Sequence, residues 1–281
     1  MARSQPHYNG FLLTEDQRAC IDVVLVTPRN PLNIGAAARA MANFGFERLA
    51  VVAPFEAHWR EAKSAVGAPE LLAKARETGS LAEAVAECTL VVGTGTTDRR
   101  RAEQPVVSLP ELGPLVQREL ARGGRVGLVF GSEKRGLKRE ELARCHLLVE
   151  IPTDARQPSM NLGQAVAVCL YELATWPERG AAEHAGRTTD ADQKTGAAEE
   201  PARAGDLELL AGVVEETMAE ANYSPAIMRR ANRHDVELLL RRLALTRRDA
   251  RRVMGLFRRV LWRLRGGAGG KGGAPAEIPQ K

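Results

Sequence analysis

The chain has 281 residues, 44% of them hydrophobic, enough for one large α/β core with an appendage. No apolar run is long enough to cross a bilayer, and Met1 to Gly10 lacks the apolar stretch of a secretory signal, so a cytoplasmic protein is expected. The net charge of +5 is modest but uneven. Met228 to Arg265 holds thirteen arginines against Asp235, Glu237 and Asp249, a local +10 that leaves −5 for the rest, and such concentration marks a surface for a polyanion.

Short apolar runs alternate with helical patterns along the first two thirds. Ile21–Val26 reads as a buried strand, Asn33–Phe44 as an alanine-rich helix and Leu49–Val52 as a second strand. Ser80 with Glu83 forms a capping box that starts a helix. Leu90–Val92 is a strand, Pro110–Ala121 a helix, Val126–Phe130 a strand, Lys138–Arg144 a short helix, Leu147–Ile151 a strand and Asn161–Thr175 a long apolar helix. Near-continuous apolar strands separated by helices predict an α/β fold, a mostly parallel sheet with helices on both faces.

Residues 177–205 lose the apolar period and read as a flexible linker. Three helices follow. They are Leu207–Ala221, Ala226–Leu243, and a third capped by Thr246 with Asp249 whose arginines fill the faces opposite Val253, Leu256 and Leu264. The expected division is an arm over 1–18, an α/β domain over 19–176, the linker over 177–205, a basic helical extension over 206–265 and a Gly-rich disordered tail over 266–281.

Cys20, Cys88, Cys145 and Cys169 form no C-x-x-C pair and sit in apolar surroundings, so each reads as a buried thiol. The histidines show no metal-ligand spacing, and no metal is expected. In a parallel sheet the ligand sits beyond the carboxyl ends of the strands. Four strand ends here carry glycine and polar residues: Thr27 to Met41, Gly93 to Thr97, Gly131 to Leu137, and Pro152 to Leu162. None matches a dinucleotide fingerprint, a P-loop or a nucleophile elbow. Taken singly, each turn reads as ordinary loop punctuation.

Together they resemble the SpoU/TrmH family of RNA methyltransferases. N-x-G-x-x-x-R appears at Asn33, Gly35 and Arg39; G-x-E-x-x-G at Gly131, Glu133 and Gly136; and I-P followed by S-[apolar]-N at Ile151, Pro152, Ser159, Met160 and Asn161. The likeness covers residues 19–176. Thr97 to Arg100, Ala38 to Met41 and the helical extension are similar to the TrmJ branch, with Met160 and Pro158 as departures from the usual pattern. The resemblance implies a C-terminal trefoil knot, which general topology rules would not predict. It also implies a homodimer sharing its active sites, S-adenosylmethionine as cofactor, and 2′-O-methylation of RNA, with nucleotide 32 of the tRNA anticodon loop as target. An rRNA methyltransferase of the same family and a catalytically silent RNA-binding protein of this fold are the alternatives.

By the same resemblance the cofactor lies against Thr94, Gly95, Thr96, Gly131, Ile151, Pro158, Ser159 and Met160. Arg39 is the expected catalytic residue, with Asn161, Ser159, Glu133 and Asn33 around it. A guanidinium is a poor base, so Arg39 is expected to grip a phosphate and stabilise the developing alkoxide. Asn161 also reads as a helix cap, and Glu133 as orienting a loop or Asn33 across the dimer, or pairing with Lys134 or Arg135. RNA contacts are expected from Arg39, Arg99, Arg229, Arg230, Arg258 and Arg259. The basic helices read otherwise as a solvated face or a partner of the acidic linker.

Overall fold

The structure, a computed structural model, describes residues 13–95, 102–183, 200–223 and 225–266, with only the backbone for 176–183. In chain order the elements are α1 (Glu15–Arg18), β1 (Ile21–Val26), α2 (Pro31–Asn43), β2 (Arg48–Val52), α3 (Pro69–Lys74), β3 (Arg76–Thr78), α4 (Leu81–Ala84), β4 (Leu90–Thr94), β5 (Val106–Ser108), α5 (Leu109–Ala121), β6 (Val126–Phe130), α6 (Arg139–Leu142), β7 (Leu147–Glu150), α7 (Leu162–Glu183), α8 (Ala204–Glu220), α9 (Arg229–Arg242) and α10 (Arg247–Gly266). The strands form one seven-stranded sheet in the order β3-β2-β1-β6-β4-β7-β5, and every pairing is parallel.

The two-residue period of a strand divides the core. Ile21, Val23, Leu25, Leu49, Val51, Val92, Val126, Leu128, Phe130 and Val149 face one layer, where α2, α5 and α7 pack. Val24, Val26, Ala50, Val52, Val91, Val129 and Leu148 face the other, with Leu81, Val85, Cys88 and Cys145. Both faces are covered, which is why the strands read as continuous apolar runs. Asp22 is the exception. Its carboxylate is buried on β1 and held by Arg48 at 2.9 Å and Arg125 at 3.3 Å.

The strands β3 and β5 were not predicted. Each has three residues and lies at a sheet edge, too short to show an apolar period. The capping box at Ser80 forms in half: the Ser80 hydroxyl accepts from the Glu83 amide at 3.2 Å, but the Glu83 carboxylate accepts from Gly79 instead. The expected helix Ala226–Leu243 divides into a 3-10 turn, Ala226–Met228, and α9. At the expected linker, α7 runs on to Glu183 and α8 begins at Ala204; residues 184–199 and the tail 267–281 lie outside the described residues.

The C-terminal helices pack on the sheet's second layer. The amides of Ala204 and Gly205 donate to the carbonyls of Cys88 at 2.7 Å and Ala86 at 2.9 Å, and Ala204 is buried in that layer's core. Arg144, just after α6, reaches Glu208 on α8 and Glu237 on α9 at 3.2 and 3.3 Å. Three further pairs, Arg203 with Glu87, Arg230 with Glu140 and His234 with Glu103, tie the same units. Leu207, Leu210, Ala211, Leu240 and Ala250 give these helices a small core of their own.

On the first layer α7 lies close against α2, and Gly163 permits it. A Cβ there would stand 2.7 Å from the Ala36 Cβ. Gly163→Ala is therefore expected to lower stability by about 1–3 kcal/mol through overpacking, read as a drop in the urea midpoint at unchanged m-value.

Candidate active site

The carboxyl ends of β1, β6, β4 and β7 are neighbours in the sheet, so their four following turns emerge at one edge. Glu133 joins two of them. Its Oε2 accepts from the Arg29 amide at 2.9 Å, and its Oε1 from the Asn30 amide at 3.1 Å and the Asn33 Nδ2 at 2.9 Å. Asn33 passes the connection on, its Oδ1 accepting from the Asn161 Nδ2 at 2.9 Å. The Asn161 Oδ1 accepts from the amides of Gly163 at 2.9 Å and Gln164 at 3.4 Å, capping α7. Glu133, Asn33 and Asn161 thus meet within one chain.

The Glu133 turn is built for this. Ser132 and Gly136 bridge across it, and the Gly136 amide donates to the Ser132 carbonyl at 2.8 Å. Gly131 is crossed so closely that a Cβ would lie 2.1 Å from the Gly136 carbonyl carbon. Burial works against the charged form of Glu133, but the hydrogen bonds from Asn33 and from the backbone amides outweigh it and hold its carboxyl below the usual range. Asn30 caps α2 by accepting from the Leu32 amide at 2.9 Å, with Pro31 at the first helical position.

β4 and β7 supply the next wall. The Thr94 hydroxyl donates to the Val129 carbonyl at 3.1 Å, and the Gly95 amide to the Val149 carbonyl at 3.3 Å. Beside them a cavity of about 370 Å3 is lined by Val106–Ser108, Glu150–Thr153, Ala155 and Pro158. Ile151 and Pro158 line it, Met160 is half-buried nearby in sequence, and Ser159 is exposed. Thr96 and Arg99 lie outside the described residues. Sequence reasoning missed the wall from β5, because Val106–Ser108 is too short to announce a strand.

Arg39 is placed differently from the other motif residues. It lies six positions beyond Asn33 on α2, a rotation that carries it to another face of the helix. There it is exposed and has no ion-pair partner among the described residues. Sequence reasoning also passed over Arg29 and Phe55, whose guanidinium and ring stack at 4.7 Å on this edge. Phe55 follows a strand and Pro54, a pattern that gives no sign of such a contact.

Buried nucleophiles belong to the core. Cys88, Cys145 and Cys169 are buried, and burial pushes each thiol up to about 12. His146 is neutral: burial lowers it to about 3, and its Nδ1 accepts from the Val91 amide at 3.0 Å. Among the described residues no group of three or more His, Cys, Asp or Glu could hold a metal, and no helix is long and apolar enough to cross a membrane.

Residues 21–171 match the model of the SpoU rRNA Methylase family, more than half of the chain. The chain belongs to this family. It is 42% identical over 154 residues, 54% of its length, to the tRNA (cytidine/uridine/adenosine-2'-O-)-methyltransferase TrmJ of Pseudomonas aeruginosa, and spans 60% of that relative. It is 40% identical over 159 residues, 55% of its length, to the tRNA (cytidine-2'-O-)-methyltransferase TrmJ of Methanocaldococcus jannaschii, spanning 67% of that one. The crystal structure of TrmJ from Z. mobilis superposes with a TM-score of 0.71 at 27% identity, covering 85% of this chain and 98% of the other. That coverage reaches beyond 21–171, into the C-terminal helices.

The lowered pKa of Glu133 has a consequence for stability. A carboxyl depressed in the folded state stabilises fully above its unfolded value, and the contribution is lost as pH falls through the folded value. Wild type should therefore lose stability on acidification that Glu133→Gln does not, and their urea midpoints, separated at pH 7, should converge below the ordinary glutamate range.

Proposed function

We propose that this chain is an RNA 2′-O-ribose methyltransferase that uses S-adenosylmethionine, with tRNA as its substrate and nucleotide 32 as its target. The observation that carries the reading is the joining of the three family motifs at one sheet edge, through Glu133, Asn33 and Asn161, beside a cavity at the carboxyl ends of β5 and β7. The names of the relatives from Pseudomonas aeruginosa and Methanocaldococcus jannaschii support the tRNA substrate, as does the likeness of the Z. mobilis structure beyond the family span.

The cavity fits the cofactor in size and character. Ile151, Pro152, Pro158 and Val106 offer apolar walls, and the ends of β4 and β7 bring backbone polar groups near them. Ile151 and Pro158 would hold the cofactor directly, with Thr94, Gly95, Gly131, Ser159 and Met160 at its rim. When bound, S-adenosylmethionine supplies the electrophilic methyl group. Asn33 and Asn161, each fixed by its partners, hold the turns that orient the ribose. Ser159, exposed on the same segment, is free to meet the substrate.

Arg39 supports a homodimeric site. It is exposed on a face of α2 away from the Asn33 network, so in this reading it serves the cavity of a second copy. There its guanidinium grips a phosphate and stabilises the developing alkoxide. Val168 and Tyr171, exposed on α7 next to α2, supply apolar surface for that contact. The trefoil knot belongs to the same reading, supported by the placement of β7 between β4 and β5 and the return of α7 onto α2. So do a cytoplasmic location and a division into an enzymatic unit over 19–176 and a helical extension over 206–265, with the α7 and α8 bounds given above.

The arginines of the extension divide. Arg230, Arg233, Arg247 and Arg265 are paired with carboxylates of the same chain. Arg229, Arg251, Arg252 and Arg258 have no such partner among the described residues, and Arg259 lies over the Trp262 ring. These five are the phosphate-binding set in this proposal, and Arg230 is a tie to α6.

Two experiments test the reading. Arg39→Ala should lower single-turnover methyl transfer to tRNA by about 10²–10³-fold while the affinity for S-adenosylhomocysteine stays within twofold; activity near wild type would remove Arg39 from the chemistry. Replacing Arg251, Arg252, Arg258 and Arg259 with alanine should flatten the salt dependence of tRNA binding, by about 0.7–0.9 in slope for each phosphate no longer neutralised. An unchanged slope would place the RNA elsewhere.

A further inference from the structure

We propose that Phe55 and Arg29 form a stacking platform for a nucleobase of the RNA, on the sheet edge that carries the candidate site and several strands away from its cavity. The inference rests on the RNA methyltransferase reading and adds a substrate-binding element outside the three motifs.

The platform is built from two strained strand ends. β1 and β2 each leave the sheet through a non-glycine residue in the left-handed region, Thr27 at φ 46° and Ala53 at φ 41°. Side chains disfavour this conformation, and it persists only where the surroundings impose it. Here the Thr27 amide donates to the Val52 carbonyl at 2.8 Å and the Ala53 amide to the Thr78 carbonyl at 3.0 Å. Both turns thereby bring their next residues together, and the Phe55 amide donates to the Pro28 carbonyl at 3.1 Å.

The result is a phenyl ring that is 65% exposed, with the Arg29 guanidinium 4.7 Å from its centroid. Single exposed apolar residues are common and need no explanation. This one is coupled to a cation that has no carboxylate partner among the described residues, although Glu56 adjoins it in sequence. Its position is fixed relative to the motif residues, because the Arg29 amide donates to Glu133, which holds Asn33 and through it Asn161. Leu32, 54% exposed, extends the apolar surface toward Asn33.

An aromatic face beside an unpaired guanidinium suits one class of ligand, a flat base on an anionic backbone. The ring stacks on the base and the guanidinium meets its π-face or the adjoining phosphate. The extension supplies charge; this pair supplies a grip on a base of the bound RNA.

The test compares Phe55→Ala, Phe55→Trp and Arg29→Gln in the full chain. It measures binding of unmodified tRNA without cofactor, KM and kcat for methyl transfer, S-adenosylhomocysteine affinity, and sedimentation. Phe55→Ala should weaken tRNA binding by about five- to a hundredfold and raise KM in step. Phe55→Trp should restore both, and Arg29→Gln should lose part. Cofactor affinity and oligomeric state should not move. The proposal is overturned if Phe55→Ala binds tRNA within twofold of wild type. It is also overturned if the weaker binding is accompanied by dissociation of a dimer, which would make the ring a contact between copies of this chain. A wild-type protein that binds tRNA but transfers no methyl group sinks the enzymatic reading, while the binding comparison still judges the platform.

Discussion

The site hangs on a single carboxylate. Glu133 sits on the turn after β6, yet its bonds go to the turn after β1: two backbone amides and one side-chain amide. Asn33 relays that grip to Asn161 at the mouth of α7. Two segments far apart in sequence are thereby joined by hydrogen bonds to an ionised acceptor, which are about twice as strong as neutral ones, and a neutral amide bond from Asn161 to Asn33 adds the third. The geometry of the turn serves this acceptor. Gly131 lets the chain pass over itself at Gly136, and α2 starts at Pro31 directly after the two amides, of Arg29 and Asn30, that donate to the carboxylate.

Much of this could be read from the residues. The strands Ile21–Val26 and Val126–Phe130 were legible because both faces are buried and, Asp22 apart, the runs carry no polar side chain. The motif residues Asn33, Glu133 and Asn161 were legible as a set because the resemblance names them. Their joining within one chain was not, since spacing says nothing about partners a hundred residues apart, and a contact across a dimer was an equal expectation for Glu133. The edge strands β3 and β5 stayed hidden because Arg76–Thr78 and Val106–Ser108 have too few residues for a period to appear. Arg39 was legible as a motif member, while its separation from the Asn33 face follows from the pitch of α2.

Charge was legible in amount and misleading in distribution. Thirteen arginines in one stretch suggested a continuous basic surface, but folding gives several of them carboxylates from other helices. Arg233 alone meets Glu208, Glu215 and Glu237. Glu237, on α9 with Arg233, is buried; Arg144 ties it to the end of α6, and Arg233 joins it to Glu208 and Glu215 on α8. Breaking such a pair leaves a buried charge uncompensated, which gives the cluster a role in holding the extension in place. The remaining cations sit mainly on α10, and the RNA-binding surface in the proposed reading is correspondingly narrower than composition suggests.

The seat of Ala204 bears on how this chain can be divided. Its amide donates to the Cys88 carbonyl, and its side chain lies among Val85, Leu148 and their neighbours on the sheet's second layer. The first turn of α8 is thus a lid on the sheet's second layer as well as the start of the extension. A chain cut before residue 204 would carry an uncapped apolar hollow beneath α4, and shortened versions would tend to associate through it rather than stand alone as a folded unit.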